Sequence, residues 1–478
     1  MKKRIKYPIY FGILSIFLLI LVYLIIACVP YTKQGKEKSD TADKFRVQEF
    51  YSEKTGEDRA CILFQNSEAL EERIRLISHA QDRIILSTFD FKTDNSGKRM
   101  ISALYNAAQR GVKVQILVDG FSYFLHMRGK EEFQALAAQD NVTFKVYNPV
   151  NLFKPWKLMA RLHDKYLIVD KTAYILGGRN CYDYFLGDET NYRNYDWDVL
   201  VYPEGNINSS SLVQVEQYFD SIWNLKDCKV IMKSKRTGKR LQRKLEETGS
   251  RLQSAYEQME EDKPEWFQDK DYRTMTVETN NIRLLANPVE ASLKEPVLFY
   301  NMTELMKQGQ GDVYFHTPYI ICNDYMMGKL KEVCSSGKTV CMMTNSFANN
   351  GNPFGAVDYK RNKGKILNTG VSILEYDKGV SYHGKCFTVG DRLTGVGSFN
   401  WDMRSAYLDT ELMLVIDSKP LNARMREYME EYEKDSLVVT GEESYDLKEG
   451  QIPRTITRDM KIQVDALYLL DPLLRFLM

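Results

Sequence analysis

Histidine is scarce in this chain of 478 residues, with five, and net charge is nearly absent, since 65 Lys and Arg offset 64 Asp and Glu. A formal charge of +1 gives no electrostatic case for nucleic acid, which calls for a basic excess. Eight cysteines spread over this length exclude a disulfide-dense mini-protein. None falls in a C-x-x-C pair, so no zinc or other metal site is expected. A hydrophobic content of 44% excludes a disordered chain, and the length predicts two or three domains.

Charge is missing altogether between Lys6 and Lys33, and Ile9 to Val29 is almost wholly apolar. That is enough to span a bilayer as one helix. Lys2, Lys3, Arg4 and Lys6 precede it, and the positive-inside rule keeps them cytoplasmic. Residues 1–32 are therefore read as a basic flank and transmembrane helix, with everything after Thr32 outside the cell. The rival reading is a lipoprotein signal, because Ile25-Ile26-Ala27-Cys28 resembles a lipobox with Cys28 as the lipidated residue.

Residues 33–57 are polar and charged and read as a tether. Beyond them the pattern is mixed α/β. An amphipathic helix at Glu68–Ala80, a buried strand from Arg83, a helix at Lys98–Gln109 and a strand at Val112–Val118 make a β-α-β unit. The order recurs with a strand from Asp312, a helix at Tyr325–Val333 and a strand at Lys338–Met343, so internal repetition organises the chain. Two α/β halves, 58–230 and 277–436, are predicted around one active site. A charged segment at 231–276, with Lys233, Lys235 and Arg236 near its start, reads as a solvated connecting helix, a lipid-headgroup patch being the weaker alternative. In the tail 437–478, Ala466–Met478 is apolar but too short to span, and packs on the core or lies at an interface.

Two of the five histidines share a pattern. His163 is followed by Lys165, Gly177 and Asn180, and His383 by Lys385, Gly397 and Asn400, at the same spacings. The chance of that pattern after a given His is on the order of 10⁻⁴. Residues i and i+2 of a strand share a face, so each His and its Lys project together. Tyr166–Val169 and Ala173–Leu176 read as a hairpin that carries the Gly and Asn back beside the His. Two such halves assemble two imidazoles, two ammoniums and two amides, a set suited to a phosphodiester. Cations and amides hold the anionic oxygens, one imidazole attacks phosphorus, and the other moves the proton. No metal or other cofactor is required.

These half-motifs resemble the H-x-K motifs of the phospholipase D superfamily. The stretches LHDKYLIVD, GGRN and GSFNWDMRSAYLDTEL are most similar to bacterial cardiolipin synthases. The resemblance implies a phosphohistidine intermediate, with His163 as nucleophile and His383 as general acid/base. It also implies an acid at +7 from each His. Asp170 fills that place in the first half; the second half has Gly390 there, and Asp391 is expected to substitute through a shifted turn. Phosphate contacts are expected from Asn180, Ser398, Asn400, Gly177 and Gly397, with Gly178 leaving the first half one hydroxyl short. Asp198 and Glu411 are candidates to orient a His through its other ring nitrogen.

The remaining histidines read mostly as structural: His79 at a surface, His126 in an aromatic loop with an acyl entrance as the alternative, and His316 either packed or near the site floor. Cys61 and Cys228 are candidates to pair across the first half. The expected activity is membrane-anchored phosphatidyl transfer of cardiolipin synthase type, with phosphatidylglycerol as donor and acceptor and no obligate protein partner. Phospholipase D hydrolysis is the near alternative, and a nuclease or a non-catalytic binding module are further ones.

Overall fold

The computed structural model describes residues 6–187, 193–231, 238–456 and 458–478, so Lys233, Lys235 and Arg236 lie outside the described residues. The chain opens with α1 (Lys6–Cys28). One stretch, Tyr10–Tyr31, is long and apolar enough to cross a membrane.

Two nine-stranded sheets follow. The first contains β1 (Asp58–Leu63), β2 (Arg83–Thr88), β3 (Lys113–Asp119), β4 (Val142–Tyr147), β5 (Tyr166–Val169), β6 (Ala173–Gly177), β7 (Asp198–Pro203), β8 (Cys228–Val230) and β9 (Val277–Glu278). Their spatial order is β9-β1-β7-β6-β5-β2-β3-β4-β8. The second contains β10 (Asn281–Ala286), β11 (Val313–His316), β12 (Val340–Asn345), β13 (Ser372–Tyr376), β14 (Cys386–Val389), β15 (Leu393–Gly397), β16 (Leu412–Asp417), β17 (Ser436–Gly441) and β18 (Ser444–Asp446). It runs β10-β16-β15-β14-β11-β12-β13-β17-β18. Apart from one extra strand at opposite edges, the two orders coincide, so the predicted repeat is a repeat of topology. In each half three strands are parallel (β2-β3-β4 and β11-β12-β13), and a hairpin (β5-β6 and β14-β15) lies antiparallel to the first of them. Helices α2 (Asn66–His79) and α3 (Asn95–Gln109) close the first β-α-β unit, and α3 is capped by the Asp94 carboxylate, which accepts from Gly97 N–H at 3.1 Å. The central strands are buried on both faces, which is why they read as apolar runs instead of alternating ones.

The halves meet at two short parallel contacts. Asn194–Tyr195 pairs with Ser381–Tyr382, and Leu162 bridges Thr410. Each contact lies immediately beside one of the two motif histidines.

Three expectations need correction. Residues 33–57 are no free tether, for the segment is strapped to the body. Phe50 is buried, Lys38 N–H and Thr41 Oγ1–H reach Glu295, and Ser52 N–H donates to Asp417 at 2.8 Å. The hydrophilic composition concealed this because only a few apolar residues, Phe45, Val47, Phe50 and Tyr51, pack on the core among the polar contacts. The Cys61–Cys228 pairing fails, since all eight thiols are free. Cys61 in β1 and Cys228 in β8 are seven strands apart in the sheet, roughly 34 Å at about 4.8 Å per strand, far beyond disulfide reach. The connecting helix α4 (Lys239–Asp262) is only partly solvated, because Leu252, Tyr256 and Met259 bury one face. The C-terminal helix α5 (Arg458–Leu474) packs on the second half, where Arg361 meets Asp471 at 2.9 Å, and the following Arg475 holds Asp358 at 2.7 Å.

Candidate active site

His163 and His383 sit just before β5 and β14, the hairpin strands that run antiparallel to β2 and β11. They lie at the end of each sheet where the central parallel strands finish. Both line one cavity of about 420 Å³, together with Asn180, Asn400, Phe89, Phe185, Tyr319 and Arg404 among others. The pseudo-symmetry of the halves extends to single bonds. His383 N–H donates to Tyr195 O at 2.7 Å, and His163 N–H to Thr410 Oγ1 at 3.2 Å. Both rings are packed by aromatics of the first half, Phe89 meeting the His163 ring edge-on at 5.3 Å and Phe185 the His383 ring at 4.9 Å.

Each imidazole is held by a carboxylate from the other half. His163 Nδ1 lies 2.8 Å from Glu411 Oε1, and His383 Nδ1 lies 2.6 Å from Asp196 Oδ2. With Nδ1 committed, Nε2 is the nitrogen left for chemistry. Lys165 and Lys385 stand beside their histidines as the strand period requires. Lys165 Nζ donates to His163 O, and Lys385 Nζ reaches Asp196 Oδ2 at 3.3 Å and the His383 ring.

The electrostatics follow from burying cations beside imidazoles. Burial first, then the Lys165 and Lys385 charges, push His163 well below its ordinary value. Burial and Lys385 push His383 down to about 3. Lys165 is itself lowered to about 7 by burial, partly offset by Glu411. Burial opposes ionisation of Asp196, but the Lys385 charge and the bonded His383 hold it well below the carboxylate range. Glu411 moves the other way, up to about 7, because burial there outweighs Lys165 and Ser398.

The structure brings together His163, Lys165, Asn180, His383, Lys385, Asn400 and Glu411, keeps Ser398 one hydrogen bond behind Glu411, and places the rest of the expected set elsewhere. Asp170 is not at the cavity. It sits at the hairpin tip with φ of 51°, and its carboxylate accepts from the N–H groups of Gln81, Asp82 and Arg83 at 2.7–2.9 Å. Gly390 occupies the equivalent left-handed position at 57°, which explains a glycine there. Asp391 does not substitute for it. Its side chain is exposed and pairs with Lys419 at 3.0 Å. Asp198 touches no histidine, being buried against Arg73 at 2.9 Å and Arg179 at 3.2 Å. Ser398 gives its hydroxyl to Glu411 and accepts from Leu412 N–H, so it is not directed at phosphate. The N–H groups of Gly177 and Gly397 are spent on Lys165 O and Lys385 O, and their missing side chains admit the neighbouring strand, since a Cβ would stand 2.1 Å from Asp198 Oδ1 or Leu412 O.

Sequence reasoning missed Asp196. The signal is the register: Gly178 N–H donates to Trp197 O as Ser398 N–H does to Leu412 O, which makes Asp196, and not Asp198, the counterpart of Glu411. Gly178 is part of the same substitution. A Cβ at 178 would lie 2.1 Å from Asp196 Oδ1, so the shorter acid goes with glycine and the longer one with the serine that bonds it. Arg404, which lines the cavity and holds Asp409 at 3.0 Å, was also missed, as were Phe89 and Phe185. His126 bonds Asp90 at 2.7 Å, His316 is buried between Tyr382 and Glu433, and His79 is half-exposed beside Asp269. Among the described residues no group of three or more His, Cys, Asp or Glu is placed to hold a metal.

Two pseudo-repeated α/β halves that share one pair of His-x-Lys motifs define a phospholipase D-type enzyme. A family model described as cardiolipin synthase, PLD-like domain, matches residues 74–223 and 302–432, more than half of the chain, and the chain belongs to that family. Among relatives, it is 27% identical over 424 residues to an uncharacterised protein of Helicobacter pylori, covering 81% of this chain and 82% of the other. It is 23% identical to cardiolipin synthase C of Escherichia coli, covering 76% and 82%, and 23% identical to a cardiolipin synthase of Clostridium perfringens, covering 79% and 70%. The crystal structure of a phosphatidylserine synthase from Haemophilus influenzae is similar in fold, with a TM-score of 0.62 at 16% identity, covering 88% of this chain and 95% of that one.

Proposed function

We propose that the protein is a membrane-anchored phosphatidyltransferase of cardiolipin synthase type that works through a phosphohistidine on His163. The observation that carries this reading is the cross-held pair: two imidazoles facing one cavity, each with Nδ1 fixed by a carboxylate of the opposite half. A neutral His163 suits nucleophilic attack. Its Nε2 attacks phosphorus of phosphatidylglycerol, His383 protonates the departing glycerol alkoxide, and Lys165, Lys385, Asn180 and Asn400 surround the anionic oxygens. His383, then neutral, takes the proton from the glycerol hydroxyl of a second phosphatidylglycerol, whose oxygen displaces His163 to give cardiolipin. Burial, together with the lysine charges, keeps both imidazoles deprotonated; a bound phosphodiester supplies the negative charge that lets His383 carry its proton. α1 serves as the anchor, with the catalytic body outside the cell.

Lipid profiling in a host lacking its own cardiolipin synthases tests the reading. Cardiolipin should accumulate with the wild type and fall at least 100-fold with His163→Ala or His383→Ala, the scale of a lost nucleophile or acid–base group. Phosphatidic acid in its place would assign water as the acceptor. Cleavage of DNA or RNA with no lipid change would reject the lipid reading.

A further inference from the structure

The two loops that follow β3 and β4 carry an apolar surface that the cavity chemistry does not use. Phe121, Phe124 and Leu125 on the first are about half exposed, as is Trp156 on the second, where Leu152 is 66% and Phe153 is 91% exposed. Contiguous exposed apolar surface of this kind marks a binding face. The two loops start side by side, since Gly120 lies so close to Asn148 that a Cβ would stand 2.2 Å from its carbonyl oxygen.

Three connections place this surface beside the catalytic mouth and beside α1. Leu162 N–H, next to His163, donates to Asp119 Oδ2 at the base of the first loop at 3.1 Å. Arg404, which lines the cavity, donates to Met159 O at the end of the second at 2.8 Å. The end of the apolar stretch is pinned there as well, with Ala27 and Tyr31 buried and Tyr31 Oη–H donating to Trp156 O at 2.8 Å. A hydrophobic span thus leaves the body at the exposed aromatics, with Lys154 between Phe153 and Trp156 and Arg128 over the Phe124 ring at 5.7 Å. Aromatics with adjacent cations are the side chains favoured at the headgroup level of a bilayer.

We propose that Phe121, Phe124, Leu125, Leu152, Phe153 and Trp156 form a membrane-docking collar that seats the cavity mouth on the leaflet from which α1 emerges. This rests on reading α1 as a membrane anchor. A rigid seat lets the phosphodiester of a phospholipid reach His163 while its acyl chains stay in the leaflet. The collar therefore sets which molecules reach the site, namely lipids presented by a surface over dispersed ones.

Tryptophan quenching in the full chain, reconstituted in phosphatidylglycerol nanodiscs with brominated acyl chains, tests the collar. Trp156 is the exposed tryptophan, the other four being buried, so quenching should appear in the wild type and vanish in Trp156→Phe. To separate docking from mere closeness to α1, Phe124→Trp is introduced into the Trp156→Phe chain. The tryptophan so placed should lose at least half its emission, and unquenched emission would overturn the collar. A kinetic arm compares vesicle phosphatidylglycerol with a short-chain, monomeric phosphatidylglycerol. Leu152→Ser/Phe153→Ser should lower the ratio of vesicle to monomer turnover tenfold or more, and an unchanged ratio would count against the proposal. Quenching at both positions with no phosphodiester turnover by the wild type would support the collar and reject the enzymatic reading.

Discussion

At the two motif imidazoles burial and the charge in the cavity both act against protonation. Lys165 and Lys385 disfavour the imidazolium, so an anion bound between them must favour it. NMR titration of the histidines should therefore show both pKa values rise when phosphate or vanadate is added. The sign for stability follows from linkage. His383 has a folded value of about 3, against about 6.5 unfolded, so below 6.5 the unfolded chain binds a proton that the folded chain refuses. Wild-type stability should fall relative to His383→Asn as pH drops from 6.5 toward 3, a difference readable in Tm against pH. The orienting acids make a second test: Glu411→Gln and Asp196→Asn should each cut turnover 10- to 100-fold with the fold intact. Asp391→Ala should change neither turnover nor stability by more than about 0.5 kcal/mol, as for an exposed surface pair.

At the level of elements, the β5-β6 and β14-β15 hairpins explain why the two H-x-K motifs share their spacing. The strand period sets His and Lys on one face, and a tight turn at a left-handed residue returns the chain to the Asn. Asp170 and Gly390 meet that turn requirement differently. Asp170 adds three accepted amide hydrogen bonds at the start of β2, so Asp170→Ala should cost about 1–2 kcal/mol, as for a lost cap, and appear in Tm before it appears in rate. Gly390→Ala should be destabilising by more than about 1 kcal/mol, because φ is 57° and the new Cβ would meet Gln310 O at 2.1 Å. The +7 acid thus supports the hairpin tip, remote from the reaction.

On the scale of the molecule, neither half owns a complete site. His163 needs Glu411, and His383 needs Asp196, each from across the interface. The strap at 33–57 and the C-terminal segment add further clasps, such as Gln34 Nε2–H to Phe476 O at 2.7 Å. All eight cysteines are free, so alkylation of the denatured chain without reductant should label eight thiols, and reductant should leave Tm unchanged. A count of six would revive a disulfide.

The sequence by itself determined the α/β repeat, the paired His, Lys and Asn residues, and the apolar span. These are properties of local period and spacing, which a linear chain displays directly. Tertiary structure decided what depends on register and on contacts between distant segments. Two acids two residues apart, Asp196 and Asp198, differ in role because the first stands against Gly178 beside His383, while the second pairs with Gly177 and is buried against Arg73 and Arg179. Hydrophilic residues 33–57 pack because their partners lie hundreds of positions away. The exposed aromatics of the β3 and β4 loops acquire a shared role only when folding sets them beside Tyr31 and the cavity mouth.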